Sequence, residues 1–215
     1  MRVRIPVARE GWPFILIPTA GACVLWVVGW GAPTPTLAGG LLAGLALACL
    51  LFFRDPERTP PTVPGAVLAP ADGRVREIRD LHDPFVGEAV RVSIFLSPLD
   101  VHVNRSPVSA LVTEVEYQPG RFLAAYRPEA SEENEHCRIA LQGESARVAV
   151  SQIAGVLARR VVCRVRPGDK LGAGERFGLI RFGSRTDLLV PKETALRCRS
   201  GDKVRAGETI IGVLR

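Results

Sequence analysis

A hydroxyl, an imidazole and a carboxylate lie in three short segments that could together perform nucleophilic chemistry. Ser184 follows a glycine between two apolar stretches, His102 ends the run Ser-Pro-Leu-Asp-Val-His, and Asp72 lies in Pro-Ala-Asp-Gly. A serine hydroxyl is a weak nucleophile until a base removes its proton, and histidine is the usual base near neutral pH. A carboxylate can hold that imidazole in the reactive tautomer. A Gly-Ser or Asp-Gly pair alone usually marks a turn, so the segments are informative only as a set.

The stretch around Ser184 belongs to an internal repeat. Residues 166–175 (Arg-Pro-Gly-Asp-Lys-Leu-Gly-Ala-Gly-Glu) return, offset by 33 residues, as 199–208 (Arg-Ser-Gly-Asp-Lys-Val-Arg-Ala-Gly-Glu). Each copy predicts a strand, a Gly-Asp-Lys turn, a short apolar step, an Ala-Gly turn and another strand. The pattern resembles that of biotinyl/lipoyl-like domains, which implies a mainly β barrel-sandwich hybrid. That resemblance concerns the fold and not the function.

Short apolar stretches separated by glycine and proline predict that residues 57–215 form one mainly β domain. Alternation of apolar and polar residues is clear in 89–95 and 147–150, and a shorter strand is predicted at 188–190. The polar stretch 122–135 predicts a mobile loop, with a single helical turn at most.

Residues 11–53 contain no charged side chain, which predicts a membrane-associated segment. A Gly-Ala-Pro-Thr-Pro-Thr turn separates two apolar runs, 12–30 and 37–53. At about 1.5 Å per residue the second run covers about 26 Å, slightly less than a hydrocarbon core of about 30 Å. Residues 1–56 are therefore predicted to form an apolar helical hairpin that spans the bilayer or dips into it. A cleaved signal peptide is the alternative, although the second apolar run follows at once.

The distribution of charge predicts how this hairpin is oriented. Arginines flank both apolar runs, and the connecting turn has no charge. The positive-inside rule then places both ends of the hairpin, and with them the remainder of the chain, on the cytoplasmic side of the cell membrane.

The composition excludes several classes of protein. Hydrophobic residues make up 47% of the chain, which excludes a disordered protein. The five cysteines have no paired spacing, which argues against a disulfide framework or a zinc ribbon, and we predict no metal site. The formal charge of +6 has no nucleic-acid recognition motif beside it. An anionic membrane surface attracts the same charge and also accounts for the apolar segment.

The three segments occur in order with two others, Asn134-Glu135 and 152–155 (Gln-Ile-Ala-Gly). The ordered set of Ala-Asp-Gly, Ser-Pro-x-Asp-x-His and Phe-Gly-Ser-Arg resembles the phosphatidylserine decarboxylase family, specifically its short, membrane-associated bacterial and archaeal form. The resemblance covers essentially the whole chain, from the apolar hairpin to the last predicted strand.

This resemblance implies a proenzyme that cuts itself between Gly183 and Ser184, giving a β chain of residues 1–183 and an α chain of residues 184–215. Ser184 would become an N-terminal pyruvoyl group, which is the only cofactor implied. That group would form a Schiff base with phosphatidylserine, release CO2 and give phosphatidylethanolamine. The implied partners are phosphatidylserine, an anionic membrane and the two chains of the same proenzyme.

Roles for individual residues follow from the same resemblance. His102 is the candidate base, and Asp72 is the candidate carboxylate that orients it. Asp100 lies two residues before His102, on one face if the segment is a strand, so it is a candidate support. His136 is a second candidate support, because longer family members can carry another histidine where this chain has Arg105.

Two arginines, Arg105 and Arg185, are candidates for contact with the lipid phosphate, since guanidinium forks suit phosphate geometry.

Four points remain open at the level of sequence. The substrate could be a related serine-headgroup lipid, archaetidylserine, because the same catalytic residues would serve both. The chain could be a lipoyl-like membrane adaptor without chemistry, although adaptors usually add a long helical hairpin with heptads, and none is visible. A homo-oligomer is also open, as is cleavage that needs a neighbouring protomer.

Overall fold

The computed structural model of the chain describes residues 6–30, 32–124, 127, 129–156, 160–181 and 184–214. The chain divides into two compact units, Met1–Glu57 and Arg58–Arg215. The first unit is helical, and the second is almost entirely β. The mainly β body and the apolar N-terminal helical pair predicted from the sequence are therefore confirmed.

The first unit is a pair of helices, α1 (Trp12–Val28) and α2 (Pro33–Phe52), with a 3-10 turn at Arg9–Gly11 before α1. Each helix has a proline in its first turn, where the missing N–H costs no helical hydrogen bond. The indole of Trp26 donates to the carbonyl of Thr36, at 3.3 Å. A Cβ added to Gly39 would lie 2.5 Å from the indole nitrogen, so glycine at this position lets the helices approach.

The outer surfaces of this helical pair are apolar. Ile17, Val27 and Leu41 are 72%, 75% and 78% exposed. Exposing apolar area to water is unfavourable by roughly 25 cal/mol per Å². Both helices are also long and apolar enough to cross a membrane. The pair fits a membrane association by length, composition and exposure.

The second unit contains fourteen strands and one helical turn, α3 (Ala130–Glu133), within its described residues. The strands are β1 (Ala66–Leu68), β2 (Gly73–Asp83), β3 (Gly87–Leu96), β4 (Val103–Arg105), β5 (Ala110–Gln118), β6 (His136–Gly143), β7 (Arg147–Ile153), β8 (Val161–Cys163), β9 (Lys170–Leu171), β10 (Arg176–Ile180), β11 (Ser184–Pro191), β12 (Ala195–Leu196), β13 (Lys203–Val204) and β14 (Ile210–Val213).

These strands form one large sheet and two small ones. The large sheet has the order β13-β2-β3-β11-β7-β6-β5-β9, and the small sheets have the orders β1-β14-β12 and β4-β10-β8. The two outermost strands of the large sheet come from the two copies of the repeat. The copies also meet, because a Cβ added to Gly207 would lie 3.3 Å from the Cα of Gly174. The large sheet is therefore curled.

The two copies of the repeat have the same turn geometry. Gly168 and Gly201 both have a φ of 97°, a conformation that side chains other than glycine rarely adopt. In each copy the aspartate after this glycine, Asp169 or Asp202, accepts a 2.8 Å hydrogen bond from the backbone N–H three residues earlier. The sequence repeat is thus a structural repeat.

A single large apolar cluster lies under the curled sheet. It is built from inward residues of neighbouring strands of the large sheet, including Val75, Ile94, Ile139 and Leu188, and from Phe177 of the small sheet β4-β10-β8. All five are fully buried. This core fixes the register of the central strands, because a slip by one residue would turn their apolar side chains to the opposite face.

The strand predicted at 188–190 is longer in the structure and begins at Ser184. All eight residues of β11 are buried, although two of them, Arg185 and Asp187, are charged. The two charges lie on the same face of the strand and pair with each other at 2.7 Å. The sequence predicted no strand before residue 188, but mutual pairing allows both charges to be buried in a strand.

The segment 122–135, predicted to be a mobile loop, includes the helical turn α3 and is anchored at its end. Asn134 is 1% exposed. Its side chain bonds to the backbone N–H and C=O of Leu123 and to the carbonyl of Ala154, at 2.8–2.9 Å. Burial of one amide side chain with three partners holds the last part of the segment against the sheet.

Candidate active site

Ser184 is the first residue of β11, a central strand of the large sheet. It pairs in register with Leu96 of β3 and is completely buried. Within the described residues its Oγ has no hydrogen-bond partner. A buried hydroxyl without a hydrogen-bond partner lowers the stability of the fold by about 1–3 kcal/mol. Such a group in a native structure is often explained by a chemical role. Gly183, the other side of the predicted cleavage site, lies outside the described residues.

A buried polar cluster adjoins Ser184 on the core face of β11. Asn104 of β4 donates from Nδ2 to Thr186 Oγ1 at 3.0 Å and to the carbonyl of Pro70 at 3.3 Å. Its Oδ1 accepts from Gln152 Nε2 at 2.8 Å. Since side chains alternate along a strand, Thr186 and Ser184 point to the same face. Asn104 and Thr186 were not predicted as site residues, because polar neighbours in β4 and at the start of β11 hide their inward positions.

His102 lies immediately before β4 and is fully buried. Its carbonyl accepts from the backbone N–H of Ile180, at 3.2 Å, which ties it to the last residue of β10. Its ring Nδ1 is 2.9 Å from the carbonyl oxygen of Asp100. Because a carbonyl can only accept, Nδ1 must carry the proton, and the neutral ring has its lone pair on Nε2. This is the tautomer that a base requires.

Asp100 supports His102 through its backbone rather than through its side chain. The carboxylate accepts from the backbone N–H of Ser97 at 2.8 Å and closes a turn. The strand geometry assumed for the pair is absent, because β4 begins only at Val103.

The Asp72 carboxylate is held by two hydrogen-bond partners, neither of which is the His102 imidazole. One carboxylate oxygen accepts from Arg58 at 2.8 Å, and the other accepts from the backbone N–H of Ala206 at 2.8 Å. The first copy of the repeat has the same arrangement, where Ser109 Oγ accepts from the N–H of Ala173 at 3.0 Å. Asp72 therefore occupies a turn-capping position that the repeat uses twice, with an ion pair added.

The two arginines predicted to contact phosphate are both directed to partners inside the protein. Arg105 is 4% exposed and donates from Nη1 to the carbonyl of Gly174 at 3.0 Å. Arg185 is also 4% exposed and donates from Nε to Asp187 at 2.7 Å and from Nη2 to Ser93 Oγ at 2.6 Å. Their side chains stabilise the strands around the site.

His136 lies on the opposite face of the large sheet from Ser184. It pairs in register with Ile153, which pairs with Arg185, so all three share one face. Its Nδ1 lies 2.8 Å from the carbonyl of Asn134. The structure brings together Ser184, Thr186, Asn104 and Gln152 but does not bring His136 to that face.

A pair of cysteines lies near the polar cluster. Cys137 of β6 pairs in register with Gln152, and it packs in a small buried cluster against Cys163 of β8. A hydrogen bond from the Cys137 thiol lowers the pKa of Cys163 to about 7. The same bond, followed by burial, raises the pKa of Cys137. Across the described ranges no three His, Cys, Asp or Glu side chains are placed to hold a metal ion.

The chain is similar to proteins of known family over most of its length. The family model for phosphatidylserine decarboxylase matches residues 45–212. A phosphatidylserine decarboxylase proenzyme of Symbiobacterium thermophilum is 50% identical over 211 residues, which cover 97% of this chain and 95% of that protein. Proteins of the same name from Desulfotalea psychrophila and Chlorobium phaeobacteroides are 45% and 49% identical, covering 99% and 80% of this chain and 98% and 81% of those proteins.

The matched region includes every element described above around Ser184, from Asp72 and His102 to β11. On the extent of these matches, the chain belongs to the phosphatidylserine decarboxylase family.

Proposed function

We propose that this chain is a phosphatidylserine decarboxylase proenzyme, which cleaves itself at the Gly183–Ser184 bond and then converts phosphatidylserine to phosphatidylethanolamine with release of CO2. The observation that carries the proposal is the Ser184 hydroxyl, which is buried at the start of a central strand without a described partner. Family membership and relatives named as proenzymes support the same reading.

In the proposed cleavage, the Ser184 hydroxyl gives its proton to His102 while Oγ attacks the carbonyl carbon of Gly183. The amide C–N bond breaks, its nitrogen takes a proton, and an ester joins the two segments. Loss of the Cα proton of residue 184 then expels the Gly183 carboxylate and leaves dehydroalanine. The imine tautomer adds water and releases ammonia, and a pyruvoyl group remains at the start of the α chain.

A buried site suits both stages of this reaction. Once formed, the pyruvoyl carbonyl supplies the electron sink that decarboxylation of the serine headgroup needs. His102 would hold a proton at Nε2 and return it to the product carbon. The lone pair on Nε2 is supported by the 2.9 Å contact between Nδ1 and the Asp100 carbonyl.

Asp72 is proposed to orient His102 indirectly. Its carboxylate accepts from the Ala206 N–H in the second repeat copy, and the carbonyl of Pro70, two residues before Asp72, accepts from the Arg105 backbone N–H at 2.9 Å and from Asn104 Nδ2 at 3.3 Å. Asp72 is therefore connected, through Pro70, to residues 104 and 105, which follow His102 in the chain. Asp72 is thus a positioning residue in this proposal.

The body is proposed to be a barrel-sandwich hybrid of the biotinyl/lipoyl-like type. The two copies of the repeat supply opposite edges of the curled sheet and meet at Gly174 and Gly207, which supports that classification. The helical pair is proposed to hold the enzyme at an anionic membrane with the β body in the cytoplasm. Arginines on both flanks of the apolar runs support this orientation.

The proposal is tested with Ser184→Ala in the full chain. We expect wild-type protein to run as two chains on a denaturing gel, with masses that correspond to residues 1–183 and to a pyruvoyl-started chain from position 184. Ser184→Ala should remain one chain and release no CO2 from phosphatidylserine. Ser200→Ala, at an exposed serine of the second repeat copy, is the matched control and should behave as wild type. An intact wild-type chain with full activity would contradict the proposal.

A further inference from the structure

Strand β11, which begins at the proposed cleavage site, carries buried charges on the face opposite the Ser184 side chain. Arg185 and Asp187 are 4% and 3% exposed. Because side chains alternate along a strand, both point away from the apolar core that Leu188 joins. Leu189, the next residue on their face, is apolar. The charges are therefore confined to the end of β11 that adjoins the cleavage site.

Arg185 connects β11 to three other segments. Its Nε donates to Asp187 Oδ1 at 2.7 Å, and its Nη2 donates to Ser93 Oγ of β3 at 2.6 Å. Its Nη1 lies 3.4 Å from the carbonyl oxygen of Arg127, and its Nη2 lies 3.4 Å from Glu77 Oε2 of β2. One guanidinium thus links the second residue of the proposed α chain to three segments of the proposed β chain.

Asp187 extends the same cluster to the helical turn α3. Its Oδ2 accepts from Ser131 Oγ at 2.9 Å and lies 3.9 Å from Arg91 Nε. Arg91 in turn lies 3.4 Å from Glu77. Two arginines therefore share two carboxylates. Because a buried charge is tolerated only when it keeps its partners, the cluster resists displacement of β11.

Backbone pairing is one-sided at the residue that carries the chemistry. Position 184 pairs with Leu96 of β3, whereas the pairing of β11 with β7 begins only at Arg185 and Ile153. Before cleavage, the peptide bond to Gly183 continues the chain through this position. After cleavage, position 184 is a chain terminus, and termini fray unless they are tied down.

We propose that Arg185 and Asp187 form a clamp that holds the pyruvoyl group at position 184 in place once the chain has been cut. The inference rests on the proposed function, because only a self-cleaved chain has a terminus at this position. Both are positioning residues, since their side chains lie on the other face of the strand from the reacting groups. The clamp serves turnover rather than cleavage, because the uncut chain is still held covalently on both sides of position 184.

The test compares two arginines on the same face of the sheet. Arg185→Gln removes the links from the clamp to the other segments. Arg138→Gln is the matched control, because Arg138 contacts Asp83 at 2.8–2.9 Å and both residues belong to the proposed β chain. The register places Arg138 on the face of Asp187, through Ser151. Each substitution removes one cation that pairs with a carboxylate, so a loss that reflects only stability would appear in both variants.

The first measurement is decarboxylation of phosphatidylserine in neutral detergent micelles, with kcat expressed per pyruvoyl group titrated with phenylhydrazine. We expect Arg185→Gln to be cut into two chains, with kcat lowered about 10- to 100-fold and KM changed far less, since misplacement of a reacting group by about 1 Å can cost about 100-fold. Arg185→Lys restores the charge but not the guanidinium fork, so it should recover kcat only in part. Arg138→Gln should keep kcat within about twofold of wild type.

Hydrogen exchange distinguishes a clamp on the cut chain from general support of the sheet. We expect Arg185→Gln to accelerate amide exchange at residues 185–187 about tenfold more in mature protein than in the Ser184→Ala background, where the chain stays intact. Equal acceleration in cut and uncut protein would overturn the inference, because the effect would not depend on the new terminus.

Ser131→Ala provides a milder variant that decides the matter if Arg185→Gln does not fold or is not cut. It removes the hydrogen bond from α3 to Asp187 and leaves the 2.7 Å pair with Arg185 in place. We expect normal cleavage and a two- to tenfold lower kcat, roughly the effect of one hydrogen bond. Wild-type kcat per pyruvoyl group in whichever of these variants is cut would overturn the inference and leave the proposed function intact. An intact, active wild-type chain would instead contradict the proposed function itself.

Discussion

The β body has two halves, one with the small sheet β1-β14-β12 and one with the small sheet β4-β10-β8, that share a pattern of backbone hydrogen bonds. Only the half with β4 leads to the candidate active site. The N–H of Leu68 donates to the carbonyl of Pro107, and the N–H of Arg105 donates to the carbonyl of Pro70, at 2.8 and 2.9 Å. In the same way, the N–H of Leu214, directly after β14, donates to the carbonyl of Gly65. The N–H of Ile180, the last residue of β10, donates to the carbonyl of His102. Strand β1 of one half is therefore the counterpart of β4 in the other.

The counterparts differ in chemistry rather than in shape. His102 corresponds to Gly65, Asn104 to Val67 and Arg105 to Leu68. In the half with β1 these positions are glycine or apolar, whereas in the half with β4 each is a buried polar side chain. The scaffold tolerates apolar residues at these positions, so the polar set is not required by the fold. Its presence in one half alone supports the proposed role of His102 in the chemistry at Ser184.

The largest effect is expected from substitution of His102, which removes one of the polar side chains that differ between the halves. His102→Asn should slow self-cleavage by about 100- to 10,000-fold, the usual contribution of a positioned base. The rate is measured from the appearance of the α chain on denaturing gels after synthesis in a cell-free system. His82→Asn, at an exposed histidine that contacts Glu88, is the control and should mature normally. Normal maturation and turnover of His102→Asn would remove His102 from the mechanism.

A smaller effect is expected when Asp72 is converted to its counterpart in the other half. Asp72→Ser keeps a cap for the turn, as Ser109 does, and removes the ion pair with Arg58. We expect the free energy of unfolding to fall by about 1–3 kcal/mol and cleavage to slow by about tenfold. The decisive measurement is the pH profile of cleavage, whose midpoint should not move because Asp72 acts through the turn. A shifted midpoint would instead indicate direct contact with the imidazole.

The equivalence of the two repeat copies could be predicted from the sequence, whereas the chemical difference between the halves could be predicted only in part. The repeat predicted two equivalent turns because Gly-Asp-Lys requires a particular backbone geometry. The segments of Ser184 and His102 could be found by residue type and order. The eight-residue extent of β11 could not, because burial of Arg185 depends on Asp187, on Ser93 and on a loop distant in sequence.

The partners of charged residues were the least predictable feature. A sequence shows that Arg105 and Arg185 are cations but not whether their charge is used inside the protein. Arg74 and Arg76 look like ordinary surface residues of an alternating strand. Only the packing of β2 beside Phe95 and the second repeat copy shows that they line a cavity with Lys203.

Matched substitutions in the two turns of the repeat test whether these turns are energetically equivalent. Gly168 and Gly201 have the same φ of 97°, and a Cβ added at either would meet nothing within 4 Å. Alanine should therefore cost only backbone strain, about 1–2 kcal/mol at each site. Thermal unfolding of Gly168→Ala and Gly201→Ala, each in the Ser184→Ala background, should show equal decreases in Tm. Unequal decreases would show that the two turns are not energetically equivalent.

The smallest effect concerns Cys163, whose counterpart in the other half is Leu196. Cys163 lies on β8 opposite Gly178 of β10, and Leu196 lies on β12 opposite Gly212 of β14. The hydrogen bond from Cys137 lowers the pKa of Cys163 from 9.0 to about 7, so its thiolate is lost as pH falls through about 7. Iodoacetamide labelling followed by peptide mass spectrometry between pH 5 and 9 should give a midpoint near that value for Cys163.

Removal of the donor gives the test its control. Cys137→Ala should return the labelling midpoint of Cys163 toward 9.0, because the bond that stabilises the thiolate is gone. Cys198, whose pKa is raised chiefly by burial, should label slowly throughout the same range. Cys163→Ala should abolish the fast labelling and leave self-cleavage within about twofold, since alanine removes the half-buried thiol without overpacking the cluster. A large loss of cleavage in Cys163→Ala would instead place the thiol among the polar groups that only this half uses.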